Sequence, residues 1–116
     1  SDSKLPWQQQ KEEQARRRKL ENELKKTEAR IEELEKRDKE IDETLVLPDV
    51  CTNVARCTEL SREKEAVLKE LEELYEQKRR KELEAVSDLI EDAGLAPEEV
   101  TEVLQQYIEN RSANAS

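Results

Sequence analysis

Histidine and phenylalanine are absent from this chain of 116 residues, glycine and tryptophan occur once each, and cysteine occurs twice. Each shortage removes a class of chemistry. Without His and without a CxxC spacing there is no recognisable zinc set. With no His, and both Cys accounted for by packing or the turn, no nucleophile–base pair is visible. The single glycine, Gly94, rules out a GxxxxGK[ST] phosphate loop, so nothing here binds ATP. Aromatic residues at 3% leave too little bulk for a thick globular core and argue for one domain at most. Cys51 and Cys57 are too few for a disulfide scaffold. In one helix they would lie about 9 Å apart along the axis, out of bridging range unless Cys51 belongs to a turn. Cys57 reads as a small packing residue. No stretch is apolar enough to cross a membrane and the first residues form no hydrophobic signal region, so the expected compartment is the cytosol. Carboxylates are plentiful, but a slender helical chain offers no pocket to perturb them. Neither a catalytic residue, a cofactor site nor a metal site is expected.

What the chain has is charge and a repeat. Asp, Glu, Lys and Arg make up 44% of it. Many Glu residues precede a base by four positions, as in Glu21–Lys25, Glu32–Lys36, Glu33–Arg37 and Glu65–Lys69. Such pairs support an isolated helix by about 0.2–0.5 kcal/mol each. Beneath the charge runs a seam spaced alternately four and three residues apart. It reads Leu20, Leu24, Thr27, Ile31, Leu34, Asp38, Ile41, Leu45, and after a break at Pro48 it resumes as Cys57, Leu60, Lys64, Val67, Leu71, Leu74, Lys78. This spacing keeps one stripe facing one partner helix, the mark of a coiled coil. With the break near the middle, the partner of each arm is the other arm. The fold class is therefore all-α: an antiparallel two-helix coiled-coil hairpin with a short C-terminal helical addition. A monomeric hairpin is favoured over a dimer whose arms pair between chains.

Helix punctuation sets the boundaries. Residues 1–6 read as linker, and Leu5-Pro6 can open a helix. Residues 7–92 form the hairpin, with its turn near 47–53, where Pro48 disfavours helix before it and Thr52 or Asn53 can cap the second arm. Asp92-Ala93-Gly94 supplies a glycine stop. Residues 93–116 form a short amphipathic helix opened by Pro97-Glu98-Glu99, with a tail that frays from Arg111. If Leu45 faces Cys57, residues opposite each other sum to about 101–102. Ile41 then meets Leu60, Leu34 meets Val67, Ile31 meets Leu71 and Thr27 meets Leu74. Asp38 falls opposite Lys64, where the two either satisfy each other and penalise slipped pairings or reach separately to water.

These words resemble a family. Trp7-Gln8-Gln9-Gln10-Lys11-Glu12 leading into Arg18-Lys19-Leu20-Glu21-Asn22-Glu23-Leu24-Lys25-Lys26 is similar to the C-terminal coiled-coil domain of the ABC-F ATPases. So are Ile31-Glu32-Glu33-Leu34-Glu35, the reversal Leu47-Pro48-Asp49-Val50, and the second arm from Glu59-Leu60 through Lys69-Glu70-Leu71-Glu72-Glu73-Leu74-Tyr75-Glu76-Gln77. The resemblance covers about residues 5–77. It implies an antiparallel hairpin that follows two ATP-binding cassettes, in soluble cytoplasmic proteins acting on the ribosome. For the Uup-type members it implies association with DNA. The chain departs from the pattern where Lys78-Arg79-Arg80-Lys81 stands in place of an expected aromatic, and where the C-terminal segment outruns the family's usual ending. On this resemblance the chain is an accessory, non-catalytic domain of an ATPase.

Charge is distributed unevenly. Residues 1–81 carry 20 bases and 21 acids, whereas residues 82–109 carry nine acids and no base. Arg16, Arg17, Arg18, Lys19, Lys25 and Lys26 lie near the open end of the hairpin, and the register brings Lys78, Arg79, Arg80 and Lys81 alongside. Ten bases at one end form a candidate phosphate-binding patch for DNA or ribosomal RNA. Glu21 and Glu23 interleave with them, and Glu82 and Glu84 fall across from Arg16–Lys19, so an internally paired, solvated face is the alternative. No aromatic is interleaved with the bases, and stacking on single strands is not expected.

The acidic segment has two apolar stripes: Leu83, Val86, Leu89 and Ile90, then Val100, Val103, Leu104, Tyr107 and Ile108. They are expected to close as an αα-hairpin across Gly94, with Trp7 near Gly94 and Leu95 as the anchor of a three-helix base. Alternatively, Val100–Ile108 presents its apolar face to a protein partner or a second copy. A structural or oligomerisation coiled coil acting only through protein contacts is the runner-up to the nucleic-acid reading.

Overall fold

A computed structural model describes residues 4–115, with side chains from Pro6 to Asn114. All its regular structure is helical: α1 (Lys4–Leu45), α2 (Pro48–Cys51), α3 (Val54–Asp92) and α4 (Pro97–Ala115). The chain divides into two compact units, one ending at Glu82 and the other beginning at Leu83. The first is the antiparallel hairpin of α1 and the greater part of α3. α1 already includes Lys4 to Pro6 of the expected linker, where a proline in the first turn sacrifices no intrahelical bond. Ser1 to Ser3 lie outside the described residues.

The hairpin is held by the seam. Ile31, Leu34 and Ile41 of α1 pack with Leu60, Val67 and Leu71 of α3, and Leu45, Val50 and Leu74 pack against that cluster. Ile41 is wholly buried at 0% exposure. Each such side chain withdrawn from water contributes about 1.5–3 kcal/mol, set against the entropy of ordering two long helices. Leu20 and Thr27 extend the buried stripe toward the open end. Thr27 satisfies its hydroxyl within its own helix by donating to the Glu23 carbonyl at 2.9 Å.

At the other end the chain reverses between Leu45 and Val54. Pro48 forces Leu47 into an extended conformation (φ −70°, ψ 136°) and opens α2, a single turn inside what reads from sequence as loop. Thr52 donates its hydroxyl to the Pro48 carbonyl at 2.8 Å, and Asn53 Oδ1 accepts from the Arg56 amide at 3.1 Å to cap α3. Cys51 and Cys57 are both free thiols. Cys57 is half-buried on the seam, and its thiol donates to the Val50 carbonyl at 2.9 Å.

Polar bridges fix the register. Lys64 Nζ donates to Asp38 Oδ1 at 2.8 Å, as the expected pairing requires, and also to Asp42 Oδ1 at 2.6 Å. The alternative, two side chains escaping separately to water, is not what forms. Arg37 grips Glu63 with two bonds, at 2.6 and 2.8 Å. Arg30 grips Glu70 in the same way at 3.0 and 3.1 Å. Farther along, Tyr75 donates to Glu35 and Lys81 to the Thr27 hydroxyl, pairs whose numbers sum well above 101. Helical side chains lean toward their own N-terminus, so two long ones meet about a turn beyond their backbones.

In the second unit, α3 ends in the expected glycine stop. Gly94 has φ +67°, the Leu95 amide donates to the Ile90 carbonyl at 3.2 Å, and the Gly94 amide donates to the Glu91 carbonyl at 3.0 Å. This is a Schellman motif, which needs a residue at ease in the left-handed region. Pro97 then starts α4 while Glu99 Oε1 accepts from the Ala96 amide at 3.4 Å, half of a capping box. α4 continues to Ala115, past the expected fraying point at Arg111.

Candidate nucleic-acid interface

The ten bases expected to form one patch all lie in the hairpin unit, but they do not stand alike toward solvent. The seam decides which point outward. Continued past Leu71 and Leu74, its spacing runs through Lys78 and Lys81, and both are half-buried. Lys78 lies 3.8 Å from Glu28 and 3.9 Å from Glu82. Lys81 donates to Thr27 Oγ1 at 3.3 Å. Arg17 is half-buried too, and Arg16 and Arg17 are each held in a contact of their own. Four members of the expected patch are therefore already engaged by the protein.

The rest are available. Arg18, Lys19, Lys26, Arg79 and Arg80 are exposed and form no ion pair among the described residues. Lys25 pairs with Glu21 at 3.3 Å, but both side chains are about two-thirds exposed, and such a pair yields readily to another anion. On α1 these residues share a face. A shallow strip is lined by Ala15, Arg18, Lys19, Asn22 and Lys26, with Glu23 at its margin. The heptad spacing is the cause: 18 and 25 form one row, 19 and 26 another, and the small side chains of Ala15 and Asn22 lie between them. That Ala15 and Asn22 line the same strip was not apparent from charge runs alone. Their seven-residue interval was the available signal.

Toward the tip, charge is spent internally. The Arg30 guanidinium is held above its usual range chiefly by its hydrogen bonds to Glu70, and that of Arg37 by Glu63. Reciprocally, Arg37 holds the Glu63 carboxyl below the ordinary glutamate value. Hydrogen bonds to Asp38, then Asp42, raise Lys64, and acceptance by Glu35 raises the Tyr75 phenol. The groove between α1 and α3 at this level is lined by Arg30, Arg37, Glu63 and Glu70, which neutralise each other. It offers an anion no net attraction.

Trp7, expected as the anchor of a three-helix base, is 59% exposed, and the Lys11 ammonium lies over its ring at 4.6 Å. A cation–π contact at the surface occupies the ring without burying it. Among the described residues no cluster of His, Cys, Asp or Glu could hold a metal ion. No helix there is long and apolar enough to cross a membrane.

Comparison with known proteins agrees with the hairpin. Residues 15–77, more than half of the chain, match the family described as the ABC transporter C-terminal domain. The match begins at Ala15, beside the basic strip, and stops at Gln77, just before the Lys78–Lys81 run. No curated protein and no solved structure matches the chain. Two arms of equal spacing, a proline-marked reversal and the family match agree, and the chain belongs to the ABC transporter C-terminal domain family.

Proposed function

We propose that this chain is an accessory coiled-coil domain of an ABC-F-type ATPase, working in the cytoplasm, and that it contacts nucleic acid (DNA or ribosomal RNA) through the outer face of α1 near the open end of the hairpin. The ATP chemistry belongs to other domains of such a protein, and this one positions or anchors. One observation carries the nucleic-acid reading: Arg18, Lys19 and Lys26 are exposed, unpaired among the described residues and set on one strip with small side chains between them. Arg79 and Arg80 add to the same end, whereas Lys78 and Lys81 serve the seam. A row of bases at helical spacing neutralises successive phosphates without reading sequence, and it releases counterions as it does so.

The test is affinity for duplex DNA and for structured RNA at about 50 and 200 mM salt. Five phosphate contacts predict a loss of roughly a hundredfold or more over that range. The triple reversal Arg18→Glu, Lys19→Glu, Lys26→Glu should remove most of the low-salt binding, while Lys81→Gln should leave it nearly intact. Absence of binding at the lower salt, or indifference to the triple reversal, overturns the proposal.

A further inference from the structure

α4 begins beyond residue 94, outside the span matched by the family, and its surface is of a different kind. Helical spacing gathers Val100, Val103, Leu104, Tyr107 and Ile108 on one side. Val100 is half-buried, but the other four are 55–65% exposed. The opposite side is polar, with Glu102, Gln105, Gln106 and Glu109 together, while Glu99, one turn before Val103, borders the apolar side. Four large apolar side chains left in water on two successive turns form a contiguous apolar stripe, not the scattered exposure that is ordinary for surfaces.

Charge identifies what covers that stripe. Residues 83–116 contain eight carboxylates and one base, Arg111, so the unit carries a net −7. α4 itself carries Glu98, Glu99, Glu102 and Glu109 against the single base Arg111, and a second copy laid on the stripe would bring these like charges together. An anionic lipid surface would be repelled for the same reason. Glu99, one turn before Val103, borders the stripe itself, within the Debye length of about 8–10 Å in physiological salt, so its carboxylate acts on whatever lies against Val103. We infer that α4 is a docking helix for a basic amphipathic segment of a partner protein: apolar side chains at i, i+3, i+4 and i+7 seat against Val103, Leu104, Tyr107 and Ile108, while Lys or Arg on its flanks face the carboxylates. This is independent of the nucleic-acid reading, whose residues lie on the hairpin.

The probe is a synthetic peptide of Leu and Lys, about five helical turns long, patterned as an amphipathic helix. Its controls are a scrambled peptide of the same composition and a Leu/Glu peptide of the same pattern. Titrated into the full 116-residue chain and followed by amide chemical shifts, the patterned Leu/Lys peptide should bind saturably and perturb Val100–Ile108. Scrambling should weaken it at least tenfold. Tyr107→Ser with Ile108→Ser should do the same without loss of helical content, because neither side chain is buried. Glu99→Lys with Glu102→Lys should weaken the Leu/Lys peptide and favour the Leu/Glu one. Equal binding of the scrambled peptide, perturbations confined to the hairpin, or sedimentation showing self-association through Tyr107 and Ile108 would each overturn the inference.

Discussion

The hairpin and the C-terminal unit have the same sequence texture, apolar residues at helical spacing in a charged background, yet they end in different states. In the hairpin, Ile41, Leu60, Val67 and Leu71 are buried and the bases beside them are bridged across to the facing helix. In the C-terminal unit, Leu83, Val86, Leu89, Val103, Tyr107 and Ile108 stay half or more exposed. The difference lies in the partner and not in the pattern. Each long arm finds another of matching length and phase in the same chain, close by through a short reversal. α4 has the stripe without an equivalent partner stripe that buries it. Amphipathicity states that a face is to be covered; pairing within the chain decides whether folding alone covers it.

The sharpest way to break this contrast is to make the same substitution on both sides of it. Ile41→Ala should cost about 2–5 kcal/mol in denaturant unfolding, since it removes a fully buried side chain and leaves a cavity. Ile108→Ala should change stability by no more than about 0.5 kcal/mol, as surface substitutions do. Comparable costs would mean that Ile108 is buried in solution. A smaller effect separates the units locally. Gly94→Ala meets no atom within 4 Å, so only the left-handed φ of +67° opposes it, at about 1 kcal/mol. Amide exchange should quicken around Ile90–Val100 and leave Ile31–Leu71 unchanged. Uniform acceleration across both would contradict the division at Glu82.

The smallest effect is pH-dependent and belongs to the hairpin bridges. Glu63 is held below its ordinary value of 4.5, so its bridge stabilises fully above that pH and is lost as pH falls through the lowered folded value. Lys64 is raised above 10.5, so its contribution is present below that pH and is lost as pH rises through the raised folded value. A melting profile against pH should therefore fall at both extremes. Arg37→Gln should flatten the acid limb and leave the alkaline one. Unchanged curvature at low pH would show that the Arg37–Glu63 fork contributes nothing measurable.

Much of the hairpin was legible in the residues, because coiled-coil spacing is a local signal repeated many times. Pro48, Asn53 and Gly94 marked their turns by conformational preference, and Asp38 opposite Lys64 came from counting along the seam. Asp42 as a second acceptor was not legible, since it lies off the seam and only the reach of the Lys64 ammonium brings it in. The basic patch was half legible. The seam was read as far as Lys78 but not continued to Lys81, and both ends of the Lys78-Arg79-Arg80-Lys81 run were still counted in the patch. For Trp7 the sequence invited burial, whereas the ring stands mostly exposed with the Lys11 ammonium, one turn ahead, over its face.

The transverse bridges have one further consequence. Two rods laid side by side and free to slide bend almost as easily as two separate rods. Tied so that they cannot shear, they bend as one thicker beam. The Arg30–Glu70 link is one such tie, and the Arg37–Glu63 and Lys64–Asp38/Asp42 links, side by side about two turns nearer the reversal, are the others. A push on the Pro48 end is then delivered at the level of Thr27 and Lys81 as a tilt of the whole lever, with little lost to one arm creeping past the other.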